Sequence, residues 1–134
     1  MMNGVSISTT VFGPKGNVIL PLAEAAGRLA EAGYRQIEVS RKHLISAEDP
    51  ARLAALGIKV WAVHGAMGGG HLFGDETGRR QSVDGEIARM KQAAAFAPCP
   101  YVIHYTSRFH DPRPGLAFRK SVEELARAAE GLRI

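Results

Sequence analysis

The chain has 134 residues, 46% of them hydrophobic, and its 17 Lys and Arg against 13 Asp and Glu give a formal net charge of +4. That length suits one domain and excludes two of ordinary size, so we expect a single domain over residues 1–134. The single cysteine, Cys99, excludes an internal disulfide framework and favours a reducing compartment. The first residues lack a signal-peptide pattern, and no apolar run approaches the ~18 residues of a membrane span. We therefore expect a cytoplasmic protein with no membrane partner.

The basic residues are scattered along the chain rather than concentrated. The longest basic runs are Arg41–His43 and Arg79–Arg80, and acidic residues follow each of them closely. A nucleic-acid-binding surface requires a dense basic patch or stripe. The charge pattern therefore argues against nucleic acid as a partner and is typical of an ordinary solvated surface.

The first part of the chain places two short strands around an Ala- and Leu-rich helix. A strand is predicted around Val5–Ser8. A helix begins at Leu20–Leu22, because apolar residues then recur at helical spacing, and Gly33 is placed to end it in a left-handed conformation. The apolar segment Tyr34–Val39 is the second predicted strand.

The next unit has the same form. Asp49 and Pro50 predict a helix start, with an N-cap residue followed by proline in the first turn, and Ala51–Leu56 makes the short helix. Gly57 ends this helix, and Ile58–Val63 is the third strand. Two successive helix–glycine–strand units indicate a repeated βα pattern.

A third and a fourth unit follow. The apolar face of the third helix is made by Val83, Ile87, Met90 and Ala94. The strand Tyr101–Ile103 comes next, and the capping-box spacing of Ser121-Val122-Glu123-Glu124 predicts the start of a fourth helix that ends near Gly131.

Leu132–Ile134 repeats the aliphatic–base–aliphatic form of Ile58–Val60 after a glycine, which predicts the start of a fifth strand. Strands that alternate with helices imply a parallel sheet, either an open doubly wound sheet or part of a (β/α)8 barrel. No glycine-rich G-x-G-x-x-G turn follows the first strand, and a full barrel takes about 250 residues. We therefore predict an α/β fold of parallel βα repeats: about half of a (β/α)8 TIM barrel, with four βα units and the start of a fifth strand.

Polar residues at the carboxyl ends of the predicted strands are the candidates for a site, because ligands bind there in such folds. His64 ends the third strand, His104 ends the fourth, and Glu38 lies near the end of the second. Neutral imidazoles at one rim can bind a metal or hydrogen-bond a substrate hydroxyl, whereas each alone could simply bond to loop backbone. Glu38 could contact a metal or a hydroxyl, or be a solvated acid. Two histidines do not complete a metal site, which needs three or four ligands.

Other candidates carry weaker signals. The glycine-rich segment Gly68–Gly74 could be an active-site lid or merely a mobile loop. His71 and His110 have no spacing that marks them, and His43 is expected at the surface. Cys99 lies between two prolines and is interpreted as a structural thiol rather than a nucleophile. No residue is assigned as catalytic.

Three segments together resemble the xylose isomerase-like TIM-barrel superfamily, especially its sugar-phosphate isomerase/epimerase members. They are Leu29–Val39, Leu56–Val60 leading to His64, and Tyr101–His104. The resemblance covers nearly the whole chain but only the N-terminal half of the family's barrel. It rests mostly on the helix–glycine–strand rhythm.

The resemblance implies a small sugar or polyol substrate and a divalent metal, manganese or magnesium. In the family, acids and a histidine from the later strands hold that metal, and two glutamates there move the proton next to the sugar carbonyl. His64, His104 and Glu38 are then expected to contact substrate. Because the chain ends before the later ligands, we expect the N-terminal half of a metal-dependent isomerase or epimerase that is inactive alone.

Two alternatives remain open from the sequence. The first is half of an endonuclease IV-like zinc nuclease acting on abasic DNA, in which His64 and His104 would be zinc ligands and Arg41–His43 would approach the DNA backbone. The second is a non-catalytic half-barrel, whose edge strands leave unpaired backbone groups. Such a half-barrel is expected either to form a homodimer or to pair with a separate C-terminal half.

Overall fold

The computed structural model describes residues 5–12, 19–65, 75–104 and 113–134. Four strands form one parallel sheet in the order β1-β2-β3-β4: β1 is Ile7–Ser8, β2 is Gln36–Val39, β3 is Lys59–His64 and β4 is Tyr101–Val102. The helices are α1 (Leu22–Glu31), α2 (Asp49–Ala55), α3 (Glu76–Ala93) and α4 (Arg113–Glu130). This alternation confirms the predicted α/β fold of parallel βα units.

The ends of the first two helices follow the predicted glycine signals. α1 buries a stripe at helical spacing formed by Leu22, Ala25, Ala26 and Leu29. Gly33 follows it with a φ of +92°, and Gly57 follows α2 with a φ of +67°. Both values lie in the left-handed region, where a side chain would be strained. Glycine at these positions lets each helix turn directly into the next strand.

α3 begins at a true N-cap but buries an unusual mixture of side chains. Oδ1 of Asp75 accepts a hydrogen bond of 2.7 Å from the backbone N–H of Gly78. Besides the predicted apolar Val83 and Met90, the buried face of α3 includes the polar residues Arg79, Glu86 and Arg89. The apolar periodicity found this helix, but it did not anticipate three buried charged side chains.

The predicted start of α4 at Ser121 is wrong. The helix begins at Arg113, so Ser121 lies in its interior. Its buried hydroxyl donates to the carbonyl of Ala117 at 3.0 Å and accepts from Nη1 of Arg79 at 3.1 Å. The Ser-x-x-Glu spacing is a cap only where the backbone N–H groups are free, and inside a helix they are not.

The predicted fifth strand does not form at Leu132–Ile134. Residues 131–133 make a turn, and Arg133 has a φ of +59°. That backbone angle is incompatible with an extended strand. The side chain of Ile134 instead packs against the hydrophobic core.

The core lies between the sheet and the helices. Ile37, Val39, Val60 and Val63 point from the sheet into a cluster with α1, α2 and the end of α3. A second cluster joins Val83 and Met90 of α3 to Leu125 of α4. No helix in the described ranges is long and apolar enough to cross a membrane.

The face of the sheet that points away from the helices is called the inner face. Gln36 of β2 pairs with Lys59 of β3. Their neighbours Ile37 and Val60 are buried against the helices, so the side chains of Gln36 and Lys59 point to the other face of the sheet. Trp61 shares this face: it is 50% exposed, and the Lys59 ammonium lies 6.0 Å from the centre of its ring. The pairing of β2 with β3 shifts register between Ile37 and Glu38.

Candidate functional site

Glu38, His64 and His104 form a hydrogen-bonded chain at the carboxyl ends of β2, β3 and β4. Nε2 of His64 lies 3.2 Å from Oε2 of Glu38, and Nδ1 of His64 lies 3.0 Å from Nε2 of His104. The other carboxylate oxygen of Glu38 accepts a bond of 3.1 Å from the hydroxyl of Ser6. The structure thus brings together the three residues that the sequence singled out and adds Ser6.

The sheet explains why these side chains meet. Parallel strands end at the same edge, and the register places His64 opposite Val102, two residues before His104. On β2, Ile37 and Val39 face the helices, so alternation turns Glu38 to the inner face. The site is therefore a direct product of strand register.

Hydrogen-bond chemistry orders the protons in this chain. A carboxylate only accepts, so the ring nitrogen of His64 that faces Glu38 carries the hydrogen. In a neutral ring the other nitrogen is then an acceptor, and it faces Nε2 of His104. His104 is exposed, while the side chains of His64 and Glu38 are 22% and 33% exposed. His104 is therefore the most exposed of the three side chains.

The same contacts bear on the zinc ligands of the nuclease alternative. Within the described ranges, no group of three or more His, Cys, Asp or Glu side chains is arranged to hold a metal ion. Both ring nitrogens of His64 already have partners. Zinc binding by His64, as in the nuclease alternative, would require one of these hydrogen bonds to break.

Arg89, which the sequence did not single out, ties together the strand ends below the site. Its guanidinium donates to the backbone carbonyls of Ser40, His43 and His64 at 3.1, 3.0 and 2.9 Å. Burial lowers the pKa of Arg89, while nearby Tyr101 and Glu86 act in the opposite direction. The planar guanidinium presents its N–H donors in a rigid fork that spans the three carbonyls, whereas a lysine would present one compact ammonium group.

A second buried pair lies beside Gly65, directly after His64. The hydroxyl of Tyr101 donates to Oε2 of Glu86, and burial, together with that carboxylate, raises the pKa of Tyr101. A Cβ atom at Gly65 would lie 2.5 Å from Oε2 of Glu86 and 3.1 Å from the Tyr101 ring. A side chain at this position would therefore have to push the Glu86 carboxylate away from Tyr101. Glu86 lies at helical spacing from Val83 and Met90, and this spacing could have predicted that Glu86 is buried.

His43 is buried, so its predicted surface position is wrong. Only 3% of the residue is exposed, and its Nδ1 has no hydrogen-bond partner among the residues that the structure describes. Burial lowers its pKa, while contacts with the backbone of Thr9 and Leu20 act in the opposite direction. The reason is a contact distant in sequence: Arg89 of α3 binds the His43 carbonyl and holds that loop against the core. His43 is consequently not placed to approach a DNA backbone.

Of the remaining candidates, Cys99 lies among the described residues, and the glycine-rich segment and two histidines do not. Cys99 is buried in the core, where burial raises the pKa of its thiol. A neutral buried thiol packs as a small apolar group, in keeping with the structural interpretation. Gly68–Gly74, His71 and His110 lie outside the described residues.

Solved structures reveal the same architecture. The chain matches a D-tagatose 3-epimerase-like protein with a TM-score of 0.74 at 16% identity, over 96% of this chain and 49% of that one. It also matches a protein from Sinorhizobium meliloti 1021 with a TM-score of 0.73 at 17% identity, over 98% of this chain and 48% of that one. The fold is that of half a TIM barrel. No family model and no curated protein matches the sequence.

The match confirms the fold that the resemblance implied, half of a (β/α)8 barrel. The chain spans about half the length of the solved structures it matches. Four parallel βα units agree with that share, because a full barrel has eight.

Proposed function

We propose that this chain forms one half of a sugar isomerase- or epimerase-like barrel and supplies one wall of its substrate site. His104 contacts a hydroxyl group of a small sugar or polyol, and Glu38 and His64 hold His104 in position. The observation that carries the proposal is the hydrogen-bonded chain of these three side chains at the carboxyl edge of the sheet. In barrels of this kind, chemistry takes place at that edge.

The chemistry of the three side chains suits a polyhydroxylated ligand. Imidazole and carboxylate groups offer both donors and acceptors, and a sugar hydroxyl can satisfy either. The D-tagatose 3-epimerase-like neighbour supports a sugar as the ligand class. Glu38, held by Ser6 and His64, contributes to recognition and lacks the second acid needed for proton transfer beside a carbonyl.

We further propose that the metal and the acid/base residues of the complete barrel belong to its other half. Manganese and magnesium need several oxygen ligands at once. Glu38 is the one carboxylate in the hydrogen-bonded chain, and the described ranges hold no larger ligand group. The isolated chain is then a single domain of a cytoplasmic protein, able to bind a sugar weakly and unable to convert it.

Sugar binding tests this function directly. The 15N-labelled chain would be titrated with D-tagatose while the side-chain signals of His64 and His104 are followed by NMR. We expect both histidines to shift in a saturable way and the buried His43 to stay unchanged. The proposal would be contradicted if the wild-type chain showed no saturable shift. It would also be contradicted if the remaining signals of a His64→Ala/His104→Ala variant shifted with D-tagatose as much as those of the wild type. Epimerisation of a ketose by the wild-type chain with Mn²⁺, above the double variant, would overturn its inactivity alone.

The second candidate is a half-barrel that pairs through the inner face, and the exposure of Trp61 favours it. An aromatic side chain that is 50% exposed beside Lys59 offers apolar surface where a complete barrel would be filled. Two copies, or this chain and a separate C-terminal half, could cover it. Sedimentation velocity of the purified chain would distinguish a homodimer from pairing with a separate half. A concentration-dependent dimer supports the homodimer, and a monomer at all concentrations excludes it.

A further inference from the structure

We propose that Glu38 sets the tautomer of His104 through His64, so that His104 presents Nδ1 as a hydrogen-bond and proton acceptor to a hydroxyl group of the ligand. The identity of that ligand rests on the proposed function, whereas the ordering of protons rests on the geometry alone. His104 is the residue that touches the ligand, and Glu38 and His64 are positioning residues.

The argument begins at the carboxylate. Oε1 of Glu38 receives the Ser6 hydroxyl, and Oε2 faces Nε2 of His64 at 3.2 Å. If His64 turned an unprotonated nitrogen to this oxygen, two acceptors would oppose each other. Nε2 of His64 is therefore the protonated nitrogen, and its Nδ1 is the acceptor in the neutral ring.

The same logic carries one ring further. Nδ1 of His64 lies 3.0 Å from Nε2 of His104, so Nε2 of His104 must carry the hydrogen of that bond. In a neutral ring this leaves Nδ1 of His104 without a hydrogen. Because His104 is exposed, this free lone pair is available to a ligand. A hydroxyl donor fits it, and a carbonyl or ether oxygen does not.

The row of hydrogen bonds from His104 through His64 to Glu38 can also hold an added proton. When a ligand hydroxyl gives its proton to Nδ1 of His104, the O–H electron pair stays on the ligand as an alkoxide. The hydrogen on Nε2 of His104 then moves to Nδ1 of His64. His104 is neutral again, with its tautomer reversed, and His64 becomes an imidazolium paired with the Glu38 carboxylate. No further reactant is needed.

Histidine tautomers can be read without any ligand. We would record long-range 1H–15N spectra of the full 15N-histidine chain at about pH 8, where imidazole is ordinarily neutral. We expect His104 to give a protonated-type signal at Nε2 and an unprotonated-type signal at Nδ1. The opposite pattern, or an equal mixture of both tautomers, in the wild-type chain would overturn the proposal.

Substitution tests the role of the carboxylate. In Glu38→Gln the amide can donate or accept, so we expect both histidines to become mixtures of tautomers. Glu24→Gln is the matched control, because Glu24 is an exposed acid on α1 paired with Arg28, and it should leave the spectrum unchanged. A folded Glu38→Gln chain that retains the wild-type tautomers would also overturn the proposal. Because no sugar is present, a failure of sugar binding would count only against the proposed function.

Discussion

Nε of Arg89 donates a hydrogen bond of 2.9 Å to the backbone carbonyl of His64. The same guanidinium reaches the carbonyls of Ser40 and His43, which follow β2. A side chain from α3 therefore fixes the relative position of two strand ends that carry the candidate site. The precision of the Glu38–His64 contact depends on this buried arginine as well as on the sheet.

Replacing Arg89 should destabilise the protein strongly. Arg89→Met leaves three carbonyls without their donor, and we expect a loss of about 2–4 kcal/mol in the free energy of unfolding. Urea unfolding followed by circular dichroism would measure it. Arg119→Met is the matched control, because Arg119 is exposed and pairs with Glu123 one turn away on the same helix. Equal stability of the two variants would contradict the proposed clamp.

Gly65→Ala tests the close approach at the end of β3. The new methyl group would displace the Glu86 carboxylate from Tyr101, and we expect a cost of about 1–3 kcal/mol from the lost buried hydrogen bond. A Tyr101→Phe chain has already lost that bond, so Gly65→Ala should lower its free energy of unfolding by less. Equal costs in both backgrounds, measured by chemical unfolding, would mean that the methyl group acts elsewhere.

The buried His43 should make stability depend on pH in the neutral range. Burial lowers its pKa below the ordinary 6.5, so the unfolded chain takes up this proton at a higher pH than the folded chain does. The contribution of His43 is complete above about pH 6.5 and is lost as the pH falls further. His43→Gln should remove that part of the slope between pH 7.5 and 5.5. An unchanged slope in unfolding free energy would refute it.

A second pH effect is expected in the acid range, from the contact between α3 and α4. The carboxylate of Glu76 accepts from Arg79 and Lys120, and these bonds hold its pKa well below the ordinary 4.5. Its stabilising effect is present above that ordinary value and is lost as the pH falls below it. Glu76→Gln should therefore weaken the protein at pH 7 more than at pH 3.

Glu123→Gln is the matched comparison for Glu76. Glu123 pairs with Arg119 within α4, whereas Glu76 joins two helices. We expect the midpoint of thermal unfolding at pH 7 to fall further for Glu76→Gln than for Glu123→Gln. The reverse order would show that the contact between the helices adds no stability.

The sequence was sufficient for the repeated fold because its signals are local. Gly33 and Gly57 end helices by their backbone conformation, and short apolar runs identify the strands. The prediction at Ser121 failed because a capping-box spacing does not reveal whether it stands at a helix start or in its interior. The prediction of a fifth strand at Leu132–Ile134 failed for a related reason, since three residues do not specify an extended backbone.

The sequence predicted which residues form the candidate site, but it did not predict the hydrogen bonds between them. Strand ends gave Glu38, His64 and His104, because parallel strands end together. Which nitrogen meets which oxygen depends on register and on a shift between Ile37 and Glu38, which no local pattern encodes. The buried position of His43 depends equally on a distant partner, Arg89, 46 residues later in the chain.

The inner face of the sheet also carries an optical reporter. Trp61 is the only tryptophan of the chain, and half of it is open to water beside the Lys59 ammonium. Its fluorescence therefore originates from the face that a second half-barrel would cover. Docking of such a half would shift the emission to shorter wavelength and shield the indole from soluble quenchers. A sugar bound only near His104 would leave both properties nearly unchanged, so one intrinsic fluorophore separates assembly from ligand binding.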